Sequence, residues 1–187
     1  MSEEVQTEVE DGVLIVTINR PEKKNAVNAE VLCGLTDAWK RLDSDDGLRC
    51  AILTGTGDNF CAGMDLSVIA KLPSGAPPDD EFEQRMKDEP SVTFDGWLKT
   101  YRPTKPVIAA VHGHCYTGAL EVALAADFII AAESARFGDT HAKWALAPIW
   151  GMSQRLPRRV GIATAKRLMF TADMISADEA FRIGLVE

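Results

Sequence analysis

Residues 112–127 read HGHCYTGALEVALAAD, and how this stretch is read decides the fold. From Gly118 to Ala126 every residue is small or apolar except Glu121. A helix of that composition is apolar around its whole circumference, and such helices are buried. A buried carboxylate is costly unless something pairs with it or uses it. No Lys or Arg lies near Glu121 within the stretch. Either a partner such as Arg136 or Arg155 reaches it from elsewhere, or the carboxylate takes part in chemistry.

Working outward, PVIAAVHG (106–113) and DFIIAAE (127–133) flank the helix and read as buried strands. Further upstream, VLIVTI (13–18) and CAILTG (50–55) read as two more. Between those two, Asn28 reads as the N-cap of a helix to about Leu42. Val31, Leu32, Leu35, Ala38, Trp39 and Leu42 form its apolar stripe. KLPSGAPPDDEFE (71–83) has the composition of a surface loop, and Phe94, Trp97, Leu98 and Tyr101 mark a short helix ending at Pro103. Near the end, Ser176 and Glu179 have capping-box spacing, and Gly184 is placed to stop that helix. Alternating strands and helices put the chain in the α/β class, as a single domain over residues 1–187.

Two segments share a layout. AILTGTGDNFCAGMDL (51–66) and VIAAVHGHCYTGALEV (107–122) each run from a strand through a glycine-containing loop into a helix start. Helix starts present unpaired N–H groups and positive dipole ends. If the two converged they would hold a developing oxyanion; otherwise they are two ordinary strand-to-helix turns.

Composition narrows the function. The formal net charge is −8, so no basic surface is expected for a nucleic-acid partner. No apolar run reaches the roughly 18 residues of a membrane span, and the acidic start MSEEVQTEVEDG has no apolar core, so no secretory signal is expected. The scattered cysteines Cys33, Cys50, Cys61 and Cys115 show no metal-ligand spacing and read as reduced thiols of a cytoplasmic protein.

Five segments in order resemble the enoyl-CoA hydratase/isomerase (crotonase) superfamily. They are INRPEKKNAVN (18–28), ILTGTGDNFCAGMDL (52–66), residues 105–138, RLPRRVG (155–161) and ISADEAFRIGLV (175–186). The resemblance implies a spiral of repeated ββα units, acyl-CoA thioester substrates, and a homotrimer or hexamer. It implies no metal and no cofactor beyond the CoA carried by the substrate. It assigns the two oxyanion donors to the backbone N–H groups of Met64 and Gly118. CoA is placed along KKNAV and AGMDL, implicating Lys24, Ala26, Ala62, Asp65 and Leu66, with the basic side chains of NRPEKK suited to its phosphates.

Hydratases of this family use two glutamates, and Glu121 holds the first position. The second falls in FGDTHAKW (137–144), where His141 stands instead, with Asp139 two residues before it. Histidine can serve as acid or base near neutral pH. Alternatively Asp139 reaches inward and His141 orients it, or the acid/base pair is lost and the pocket only binds. In PIWGMS (148–153), Ile149, Trp150 and Met152 replace small residues near the acyl group, and Trp144 belongs to the same expected acyl pocket.

The reading is an enzyme that hydrates 2-enoyl-CoA. The alternatives are a non-catalytic acyl-CoA binder, or another reaction of the superfamily: isomerisation, decarboxylation or thioester hydrolysis. The resemblance also implies further C-terminal helices after RIGLVE; without them Phe181, Ile183, Leu185 and Val186 are expected to lack partners.

Overall fold

Parallel pairing of β-branched runs builds the scaffold. A computed structural model describes residues 2–71, 77–92 and 104–187. Its main sheet has five strands: β1 (Val5–Glu10), β2 (Val13–Ile18), β3 (Cys50–Gly55), β4 (Val107–Val111) and β6 (Phe128–Ala131), adjacent in that order. β1 and β2 form an antiparallel pair, and every later pair in this sheet is parallel. A second sheet joins β5 (His114–Tyr116), β7 (Arg136–Gly138) and β8 (Met174–Ser176). β1 carries no strand signal in its acidic composition; only its Val5 is buried, and pairing with β2 recruits the rest.

Helix α1 (Ala29–Ser44) covers the sheet as the spacing predicts. The Asn28 side chain accepts the Val31 N–H, and all six stripe residues are buried. Helix α2 (Leu66–Lys71) follows the loop after β3, and α3 is Glu81–Asp88. The expected loop over 71–83 is therefore corrected at its end: Asp80 accepts the Glu83 N–H and starts α3 there. The helix expected around Phe94–Tyr101 lies outside the described residues.

The apolar stretch forms α4 (Gly118–Ala125), buried from Gly118 to Leu124. The strands flanking it bury only one face: Val107, Ala109, Val111 and Ile129 are inside, whereas Ile130 is exposed. Helices α5 (Met152–Val160) and α6 (Ile162–Thr171) and the short α7 (Ala177–Arg182) complete the order. Ser176 caps α7 through the Glu179 N–H, but the Glu179 carboxylate turns to Arg167 and Arg182, so only half the capping box forms. Leu185 and Val186 are buried in the core, which corrects the expectation that they lack partners; Phe181 remains exposed. Among the described residues no helix is long and apolar enough to cross a membrane.

Candidate active site

The two similar segments do converge. Cys61 and Cys115 form a parallel bridge between the turn after β3 and strand β5, with the Cys61 N–H donating to the His114 carbonyl at 2.9 Å. Gly63 then takes φ +104° and runs so close to the start of α4 that a Cβ there would lie 3.0 Å from the Tyr116 carbonyl and 3.7 Å from Gly118 N. Only glycine meets both requirements. Around Met64, the Val27 N–H donates to the Gly63 carbonyl and the Asp65 N–H to the Val27 carbonyl. Among the described residues the N–H groups of Met64 and Gly118 donate to nothing. Two free donors on converging turns suit an oxyanion.

Beside them opens a cavity of about 660 Å³ lined by Met64, Gly118 and His141. Its outer wall is the run from the turn His141–Trp144 to Trp150.

Glu121 lies beneath this wall and is fully buried. Its Oε1 accepts the N–H groups of Trp150 and Met152, both at 2.9 Å, at the entry to α5. The Met152 N–H is an orphan donor of the helix start, and Trp150 stands just before its cap residue Gly151. The partners are therefore backbone, not the arginines considered from sequence: Arg136 donates to the Glu133 and Ala135 carbonyls, and Arg155 to that of Trp150. Among the described residues Oε2 has no hydrogen-bond partner, and it faces His141 Nε2 at 3.8 Å. Burial pushes the Glu121 carboxyl above its ordinary 4.5, against the pull of the Met152 N–H, His141 and the Trp150 N–H. On the other side of the imidazole, Asp139 Oδ1 meets His141 Nδ1 at 2.5 Å and accepts the His141 N–H at 3.1 Å. Asp139 is buried behind the ring and does not line the cavity. Of the two arrangements considered, Asp139 reaching inward is not the one observed: His141, the first residue of the 3-10 turn, faces the cavity and Asp139 does not.

Residues 8–187 match the enoyl-CoA hydratase/isomerase family. The chain belongs to that family. It is 42% identical over 173 residues to the enoyl-CoA hydratase EchA19 of Mycobacterium tuberculosis, covering 92% of this chain and 63% of that protein. It is 39% identical over 185 residues to the crotonyl-CoA hydratase of Syntrophomonas wolfei, covering 98% and 68%. The crystal structure of the enoyl-CoA hydratase EchA1 from Mycobacterium marinum superposes with a TM-score of 0.84 at 43% identity, over 98% of this chain and 67% of that one. The chain thus spans about two thirds of the length of these proteins. The crotonase-like α/β fold expected from the resemblance is the one observed.

Of the positions the enoyl-CoA hydratase/isomerase resemblance singles out, Ala26, Ala62, Met64, Asp65, Leu66, Gly118, His141, Trp144, Ile149 and Trp150 line the cavity. Lys24 does not; its carbonyl accepts the Ala62 N–H, and its neighbour Lys23 faces the cavity instead. Met152 is buried in the core rather than placed against the acyl space. Arg20, the first basic residue of NRPEKK, is not free for phosphate. It binds Glu4 at 2.8 Å and Asp65 at 3.2 Å, and donates to the Ala26 carbonyl. Asn25 explains why this loop holds its shape. Its side chain accepts the Arg20 N–H and donates to the carbonyls of Thr56 and Asn59, tying the loop to the turn after β3. Sequence reasoning missed Thr117, Thr140, Lys143, Leu146 and Met174 in the lining. Burial pushes the Cys61 thiol up to about 12, so the cysteine under the turns is no nucleophile.

Proposed function

We propose that this protein hydrates 2-enoyl-CoA thioesters to 3-hydroxyacyl-CoA. The observation that carries the reading is the pair of unpaired N–H groups, Met64 and Gly118, beside a cavity into which His141 opens. A thioester oxygen held by both donors stabilises the enolate that forms when water attacks C3. His141, with Asp139 fixing Nδ1, takes the water proton at Nε2 as the C3–O bond forms and returns it to C2. Glu121 Oε2 stands behind Nε2 as the counter-charge, or as the group that shares its proton. In this reading CoA lies along Lys23, Ala26, Ala62, Asp65 and Leu66, and the acyl chain against Trp144, Ile149 and Trp150. No step asks for a metal or redox cofactor. The four cysteines are free thiols, which suits a cytoplasmic enzyme; a homotrimer or hexamer is the assembly we propose.

One observation favours a second reading, an acyl-CoA binder without turnover: Glu121 is fully buried and bonded to backbone instead of lining the cavity. Loss of the enone absorbance of crotonyl-CoA on adding the protein supports hydration. Tight binding with unchanged absorbance supports the binder.

A further inference from the structure

Thr117, the residue before the Gly118 donor, has φ 56° and ψ −112°. A β-branched residue at positive φ is strained and persists only when its surroundings hold it. As the N-cap of α4 its hydroxyl would ordinarily accept a helix N–H, yet it makes no such bond. It is turned toward Thr140 instead. The two hydroxyls meet at 2.5 Å, and the Thr140 N–H donates to Thr117 Oγ1 at 3.2 Å. The Thr117 N–H also donates to the Gly138 carbonyl at 2.8 Å. One strained residue is thus held three times by Gly138 and Thr140, the stretch that leads directly into His141. Both threonines line the cavity.

We propose that Thr117 and Thr140 are positioning residues, a hydroxyl clasp that keeps the Gly118 N–H at a fixed offset from the His141 imidazole. The proposal rests on the hydratase reading for its kinetics. The clasp opposes the relaxation of Thr117 toward ordinary backbone angles, which would rotate the Gly118 N–H away from the thioester oxygen. Its effect falls on charge developed at that oxygen and not on CoA affinity.

The test uses the full chain with Thr140→Val, which removes the hydroxyl at nearly constant shape, Thr140→Ser, which keeps it, and the double variant Thr117→Gly/Thr140→Val. Displacing a reacting group by about an ångström costs up to roughly a hundredfold in rate. Thr140→Val is therefore expected to lower kcat on crotonyl-CoA about 10- to 100-fold with little change in KM, and Thr140→Ser to restore most of it. Glycine adopts the required angles without strain, so the double variant is expected to be faster than Thr140→Val alone. A wild-type kcat in Thr140→Val, or a double variant no faster than the single one, overturns the proposal.

An equilibrium measurement separates this outcome from failure of the hydratase reading. Acetoacetyl-CoA forms an absorbing enolate whose charge lies where the donors point; butyryl-CoA does not. Thr140→Val is expected to weaken enolate binding while leaving butyryl-CoA affinity unchanged, even if the wild type shows no turnover. Equal weakening of both ligands assigns the pair a purely structural role and overturns the proposal, as does a wild type that binds neither.

Discussion

Replacing Glu121 with alanine removes the acceptor of two backbone N–H groups, those of Trp150 and Met152, each 2.9 Å from Oε1. Leaving a buried donor unsatisfied costs about 1–3 kcal/mol, so the pair amounts to about 2–6 kcal/mol. Relief of a carboxylate that burial already disfavours offsets part of this, for an expected net loss of about 2–4 kcal/mol. Glutamine keeps the acceptor oxygen, so Glu121→Gln is expected to stay within about 1 kcal/mol of wild type at neutral pH. It removes the titration as well. The folded carboxyl has a pKa above its ordinary 4.5, so the folded state holds the proton more tightly than the unfolded chain. The resulting stabilisation is complete below about 4.5 and is lost as pH rises through the raised folded value. Urea unfolding from pH 4 to 8 reads both effects. The alanine variant is expected to unfold at lower urea throughout, and the glutamine variant to lose the part of the wild-type pH slope due to this group. An alanine variant with a wild-type midpoint, or a glutamine variant with an unchanged slope, refutes the account of Glu121 as a buried acceptor with a raised pKa.

Three further outcomes are expected. Met64→Pro removes an N–H that makes no hydrogen bond among the described residues and is expected to lower kcat about a hundredfold or more, read by crotonyl-CoA kinetics after matching circular dichroism; wild-type turnover would remove Met64 from the mechanism. His141→Ala is expected to lower the rate about 10²- to 10⁴-fold, read by crotonyl-CoA kinetics. Asp139→Asn should cost less, and a larger loss for Asp139→Asn would make it the principal acid/base. Trp144→Ala alters a side chain that is 60% exposed, so stability should hold within about 0.5 kcal/mol. Its kcat/KM should fall more for a ten-carbon enoyl-CoA than for crotonyl-CoA, and parallel changes for both would place the acyl chain elsewhere.

The elements that could be read from sequence were those whose signal is local. The stripe from Val31 to Leu42, the Asn28 cap and the run VLIVTI each carry their period within a few residues, and each forms as its spacing predicts. β1 could not be read so, because its order comes from pairing with β2 and not from its own glutamates. At the site, the all-round apolarity of α4 revealed that Glu121 is buried, but not what it touches. Its partners, Trp150 and Met152, lie about thirty residues away and are backbone groups. The exchange of Lys24 for Lys23 in the cavity wall has the same origin. The 3-10 turn Pro21–Lys23 and the left-handed conformation of Lys24 decide which lysine faces inward, and composition records neither. Thr117 was hidden because threonine at a positive φ is not an expectation any propensity supplies.

In the proposed hydratase reading, the brace formed by Asn25 stiffens one side of the cavity and not the other. On the thioester side, the loop at 24–27 and the turn at 55–65 are cross-tied by Asn25, Arg20 and the Val27–Met64 bridge, so a substitution at one point is transmitted to the others. On the acyl side, residues 142–149 are mostly exposed, and the run is fastened near its ends, His141 to Asp139 and Trp150 to Glu121. Such a span can exchange its side chains without disturbing the anchors. In that reading acyl preference is free to diverge by surface substitutions between residues 142 and 149, while the proposed grip on the thioester is inherited as one unit.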